Sequence, residues 1–84
     1  MKKQKYPYLL HSKWTAQEPT FGWRHFQVAN RKNQGSIVFA EMVSSCDPGV
    51  RFWINAKTLQ DKRLWHAGWK SLAEQEELLL TARM

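Results

Sequence analysis

The chain is expected to take an α+β fold: a small, strongly twisted three-stranded antiparallel sheet, then a short helix and a C-terminal helix. Three observations predict it. Three strand-length runs, 21–29, 36–44 and 50–55, follow one another with glycine-bearing turns between them. Asn55 then stands where a side-chain oxygen would cap a short helix over 56–61. Ser71 and Glu74 have the spacing of a capping box ahead of a leucine-rich tail. A meander this short with large side chains on both faces has to curl, and it is compatible with a partial SH3-like barrel.

The 84 residues form one domain with three zones: a mobile basic arm at 1–6, a Trp-rich body at 7–70 and an acidic, partly helical tail at 71–84. A chain of this size buries only about 60–65% of its unfolded surface, so each large side chain counts. Five tryptophans, four phenylalanines and two tyrosines meet that need, and most of the indoles are expected in the core. Trp14 is read as an anchor clamping the preceding arm onto the sheet, its indole N–H satisfied by a loop carbonyl. Pro19 bars a long helix through this region.

The first strand spans Phe21 to Ala29. Arg24, Phe26 and Val28 share one face, with Phe21, Trp23, His25 and Gln27 on the other. Neither face is purely apolar, which suggests a bulge, and Gly22 is the natural place for it. Arg31-Lys32-Asn33-Gln34-Gly35 reads as the first turn. In the second strand Ile37, Phe39 and Val43 oppose Val38, Ala40 and Met42. Asp47-Pro48-Gly49 reads as the second turn. In the third strand Val50, Phe52 and Ile54 face inward, while Arg51 and Trp53 share the other face. Leu64-Trp65-His66-Ala67-Gly68-Trp69 returns two more indoles to the sheet. The apolar period of the tail is loose, and the tail is expected to be dispensable for folding.

Lys13-Trp14-Thr15-Ala16, Phe21-Gly22-Trp23-Arg24-His25-Phe26, Cys46-Asp47-Pro48, Trp65 and Gly68-Trp69 occur in an order that resembles a family of small Trp-rich bacterial proteins of unknown function. The likeness covers about residues 7–69 and leaves the acidic tail outside. It implies a stand-alone bacterial domain, and it brings no established activity, cofactor or catalytic residue.

Charge is unevenly placed. Residues 1–70 hold twelve Lys and Arg against four acids, whereas the tail holds one Arg against three Glu, for a net charge of +6. A basic body is attracted to phosphate or to acidic protein surfaces. The single cysteine, Cys46, excludes an intramolecular disulfide, and no apolar run is long enough for a signal-peptide core or a membrane-spanning helix. The expected setting is cytoplasmic.

No catalytic constellation emerges. His11, His25, His66 and Cys46 match no zinc spacing, and Cys46 has no histidine close in sequence to act as its base. The acids are scattered, with no pair on a rigid element. The expectation is a protein that is not an enzyme, without metal or other cofactor. What remains is basic side chains interleaved with rings: Arg24 beside Trp23, Arg51 sharing a face with Trp53, and Arg31 and Lys32 in the first turn. Single-strand nucleic-acid binders combine such cations with rings on which bases stack. A non-catalytic module binding single-stranded nucleic acid through Arg24, Arg31, Lys32, Arg51 and Trp53 is therefore expected. The alternative is a protein-interaction adaptor built on an exposed Trp53 patch.

Overall fold

A computed structural model describes residues 6–82, so the expected mobile arm lies outside the described residues except for Tyr6. The elements are β1 (Lys13–Thr20), β2 (Trp23–Gln34), β3 (Ile37–Ser44), β4 (Arg51–Asn55), a 3₁₀ turn (Ala56–Gln60), β5 (Trp65–Ala67) and α1 (Leu72–Ala82). The strands form one antiparallel sheet in the order β4-β3-β2-β1-β5. The expected three-stranded sheet is thus corrected to five strands.

The two additional strands have physical reasons to be hard to read. β1 contains Pro19, which excludes a helix but is tolerated where a ladder is irregular. The β1–β2 register slips between Thr15 and Thr20, and Pro19 falls in that stretch. β5 has only three residues, too few to display a period, and Gly68 at φ 82° follows it directly.

Gly22 is a turn residue and not a bulge. Thr20 pairs with Trp23, so Phe21-Gly22 is a two-residue hairpin loop, with φ of 52° and 85°. Positive φ at both central positions is what a type I′ turn requires. For Phe21 that conformation costs about 1–2 kcal/mol. Its ring is recovered by packing on Phe52 of β4, with centroids 5.4 Å apart.

The bulge lies at Ala29. Val28 pairs with Met42, and Asn30, two residues on, pairs with Glu41, one residue back. The extra residue inverts the alternation for the rest of β2. β2 also runs through the segment expected to be a turn: Gln34 pairs with Ile37, and the reversal is made by Gly35, at φ 58°, and Ser36. Arg31 and Lys32 are therefore adjacent strand residues.

One face of the sheet carries the core. Phe26, Val28, Val38, Ala40, Met42, Ala16 and Trp65 are buried there, covered by Ala56 and Leu59 of the 3₁₀ turn and by Leu9. Phe26 is the hub, edge-on to Phe52 at 5.4 Å and to Trp65 at 5.7 Å. Phe26 and Phe52 sit two strands apart, about 9.5 Å in a flat sheet, so the sheet curls to bring their rings together. Trp14 packs against this core, and its indole N–H donates to Ser12 Oγ at 2.8 Å, not to a carbonyl. Trp23, Trp53 and Trp69 are exposed, Trp23 by 37% at the mouth of the first hairpin, so most of the indoles, expected in the core, lie outside it.

The expected caps form. Asn55 Oδ1 accepts from Lys57 N at 2.9 Å, although the helix it starts is a 3₁₀ turn. Ser71 and Glu74 exchange both bonds of a capping box, each at 3.2 Å, which holds the Glu74 carboxyl below its ordinary range. The Asp47-Pro48-Gly49 turn closes with Val50 N donating to Asp47 O at 2.9 Å. No helix among the described residues is long and apolar enough to cross a membrane.

Candidate functional site

Residues directly opposite in an antiparallel pair share a face. The pairs Arg51–Val43, Val43–Gln27 and Gln27–Lys13 make one row across four strands on the side away from the core. Trp53, opposite Glu41, and Lys32, opposite Phe39, point to the same side. Lys32, Gln34, Phe39 and Trp53 line a shallow cavity of about 260 Å³. This outer face gathers three of the residues expected at a site: Lys32, Arg51 and Trp53.

Arg24 and Arg31 lie elsewhere. Arg24 precedes Phe26 by two residues and points to the core side, where its Nη1 donates to Gln75 Oε1. Arg31 pairs with Ala40, whose side chain is in the core, because the Ala29 bulge has inverted the alternation. Its guanidinium donates to Tyr6 O at 2.7 Å and to Asn33 Oδ1 at 3.2 Å. Had 31–35 been a turn, Arg31 and Lys32 could have shared a face; as neighbours in a strand they cannot.

The outer face gains two residues that the sequence pattern did not single out, Lys13 and Trp69. Thr15, fully buried, accounts for their position. Its hydroxyl donates to Gly68 O at 2.7 Å and accepts from Lys70 N at 2.8 Å, pinning the 68–70 segment onto β1. Trp69 then lies on the sheet with its indole N–H donating to Phe26 O at 2.9 Å. His25 stands 6.1 Å from its ring, and Lys13 Nζ lies 4.6 Å from the ring centroid, a cation–π contact. His25 Nε2 is 2.8 Å from Lys70 O. The legible signal was the alternation Lys13, Thr15, Gln17 against Trp14, Ala16, usable only once 13–20 is known to be a strand.

The face has one central carboxylate. Glu41 accepts from Asn30 Nδ2 at 2.7 Å and lies 3.8 Å from the Arg51 guanidinium. Arg51 Nε also donates to Pro48 O at 3.2 Å, so this cation is held beside Trp53 from two sides. Trp53 and Trp69 remain 46% and 41% exposed. Trp53 belongs to edge strand β4, and Trp69 overlies β1 and β2, so the two indoles stand between two and three strand spacings apart, roughly 12 Å along a flat sheet. Among the described residues no three His, Cys, Asp or Glu side chains converge as metal ligands.

A family model described as Tryptophan-rich protein (DUF2389) matches residues 12–70, and the chain belongs to that family. No curated protein and no solved structure matches the chain.

Proposed function

With membership of that uncharacterised family as the premise, we propose that the chain is a non-catalytic module that binds single-stranded nucleic acid across the outer face of its sheet. The observation that carries this reading is the joint exposure of Trp53 and Trp69 on one face, each with cations beside it: Lys32 and Arg51 at the first, Lys13 at the second. Exposed rings offer stacking surface, worth about 1–3 kcal/mol per base, and the cations follow the phosphates. Arg24 and Arg31, engaged on the core side, are left out of this site, and Lys13 and Trp69 enter it. The setting proposed for this activity is the bacterial cytoplasm.

The adaptor reading draws on a different observation. Ile37 and Trp53 are exposed around Phe39, next to the open edge of β4. An extended peptide could add to that edge with its side chains on the apolar cluster. Lys32 and Arg51 on either side of Trp53 favour the nucleic acid. The test is titration of the protein with short single strands at low and moderate salt, following Trp emission and strand anisotropy. Saturable quenching that weakens steeply with salt is expected; no change in either signal at low salt rejects the reading and leaves the adaptor ahead.

A further inference from the structure

A groove of about 620 Å³ opens beside β5, on the opposite sheet edge from Trp53, with Leu59 and Gln60 of the 3₁₀ turn and Leu78 of α1 contributing to its lining. That volume falls within the range of small-molecule sites, roughly 300–1,000 Å³. Its apolar walls are Trp14, Leu59, Trp65, Ala67 and Leu78, and polar side chains complete the lining. These are Gln17, Gln60, Lys62, His66 and Lys70, and no carboxylate lines the groove among the described residues.

The polar lining is organised. The Gln17 carboxamide donates to Lys62 O at 3.1 Å and lies against the His66 ring, 3.2 Å from Nδ1. Burial, and then the positive charges of Lys70 and Lys62, push the His66 pKa below the ordinary imidazole value. Lys62 and Lys70 line the same groove as His66. Two cations facing an apolar cavity without a carboxylate leave a positive potential that an anionic head would neutralise.

We propose that this groove binds a small amphipathic carboxylate, with its apolar chain or ring against Trp14, Trp65 and Leu78 and its carboxylate between Lys62 and Lys70. The apolar walls alone would accept any small hydrophobe. The paired lysines require the anionic head, and the size of the cavity limits the body to a short chain or a ring system.

The test uses the full chain, ¹⁵N-labelled, titrated with octanoate and with 1-octanol as the uncharged analogue. Octanoate should give saturable shifts at the indole N–H of Trp14 and the amides of 65–70, and octanol should bind at least several-fold more weakly. Lys62→Ala with Lys70→Ala should weaken octanoate about five- to tenfold and leave octanol unchanged, as expected for two partly exposed ion pairs. Ala67→Trp, which fills the groove from an exposed strand position, should abolish both. Equal binding of octanol and octanoate, octanoate binding untouched by the lysine substitutions, or shifts confined to Trp53 and its neighbours would each overturn the proposal.

Discussion

Gln75 Nε2 donates to the backbone carbonyl of Ala16 at 2.9 Å, across fifty-nine residues, and the other end of the same carboxamide accepts from Arg24. The acidic helix is thus bonded to β1 and β2 through one side chain that is 4% exposed. The loose apolar period of the tail gave no sign of this attachment, because the attachment is polar. Gln75→Ala leaves a buried carbonyl and a guanidinium without their partner and should cost about 1–3 kcal/mol. Truncation after Lys70 should leave the sheet folded with a similar loss, measured by urea unfolding. A truncated chain as stable as the full one would show that the Gln75 bonds contribute nothing.

The tryptophans are not equivalent. Trp65 is 6% exposed and meets Phe26 edge-on, whereas Trp23 is 37% exposed beside the first hairpin. Trp65→Ala should destabilise by about 3–5 kcal/mol, enough to threaten a domain of this size. Trp23→Ala should cost only about 1–2 kcal/mol, in proportion to the smaller area withdrawn from water. Thermal melts of the two variants side by side decide it, and equal losses would contradict the assignment.

Thr15 holds the segment that carries Trp69 through the residues on either side of it. Thr15→Val keeps the shape of the side chain but removes the hydroxyl that joins Gly68 O to Lys70 N. Two backbone groups lose their partner, at about 1–3 kcal/mol for each that cannot reach water. Trp69 should then become more accessible to acrylamide, while Trp65 should not.

His66 links stability to pH. Its pKa is lowered in the folded chain by burial and by Lys70 and Lys62, so the unfolded chain binds the proton more readily. Its contribution is complete above the ordinary imidazole value near 6.5 and is lost as pH falls through the lower folded value. The wild type should therefore lose stability below about pH 6.5 more steeply than His66→Gln, with Lys62→Ala and Lys70→Ala reducing the difference.

The strands at 36–44 and 50–55 were legible because their alternation is clean and their turn chemistry strong. The two faces divide as expected: Val50, Phe52 and Ile54 pack against the core as assigned, and of the two sets in 36–44 it is Val38, Ala40 and Met42 that lie in it. The failures share a cause. A bulge at Ala29 has no residue signature, yet it decides which of Arg31 and Lys32 reaches the outer face. β1 reads as irregular because its buried outer-face residue, Thr15, is polar and its bonds run to a segment fifty residues away. Trp69 joins the candidate site through that contact and its own bond to Phe26 O, neither of which a local pattern can display.

The nucleic-acid reading separates two classes of residue by their response to salt. Under the proposed reading Lys13, Lys32 and Arg51 would meet phosphates, each contact releasing condensed counterions, so removing one should lower the salt slope by about 0.7 for a single strand. Trp53 and Trp69 would contribute stacking, which carries no net charge; Trp53→Ala should weaken binding about fivefold or more at every salt concentration and leave the slope unchanged. Arg24 and Arg31 serve as internal controls, since both are cations bonded on the core side. Arg31→Ala should change neither slope nor affinity appreciably, whereas Lys32→Ala, one residue away in the same strand, should change both. Equal effects of these two neighbours would mean that the strand's facing does not govern binding, and that a diffuse positive charge accounts for it.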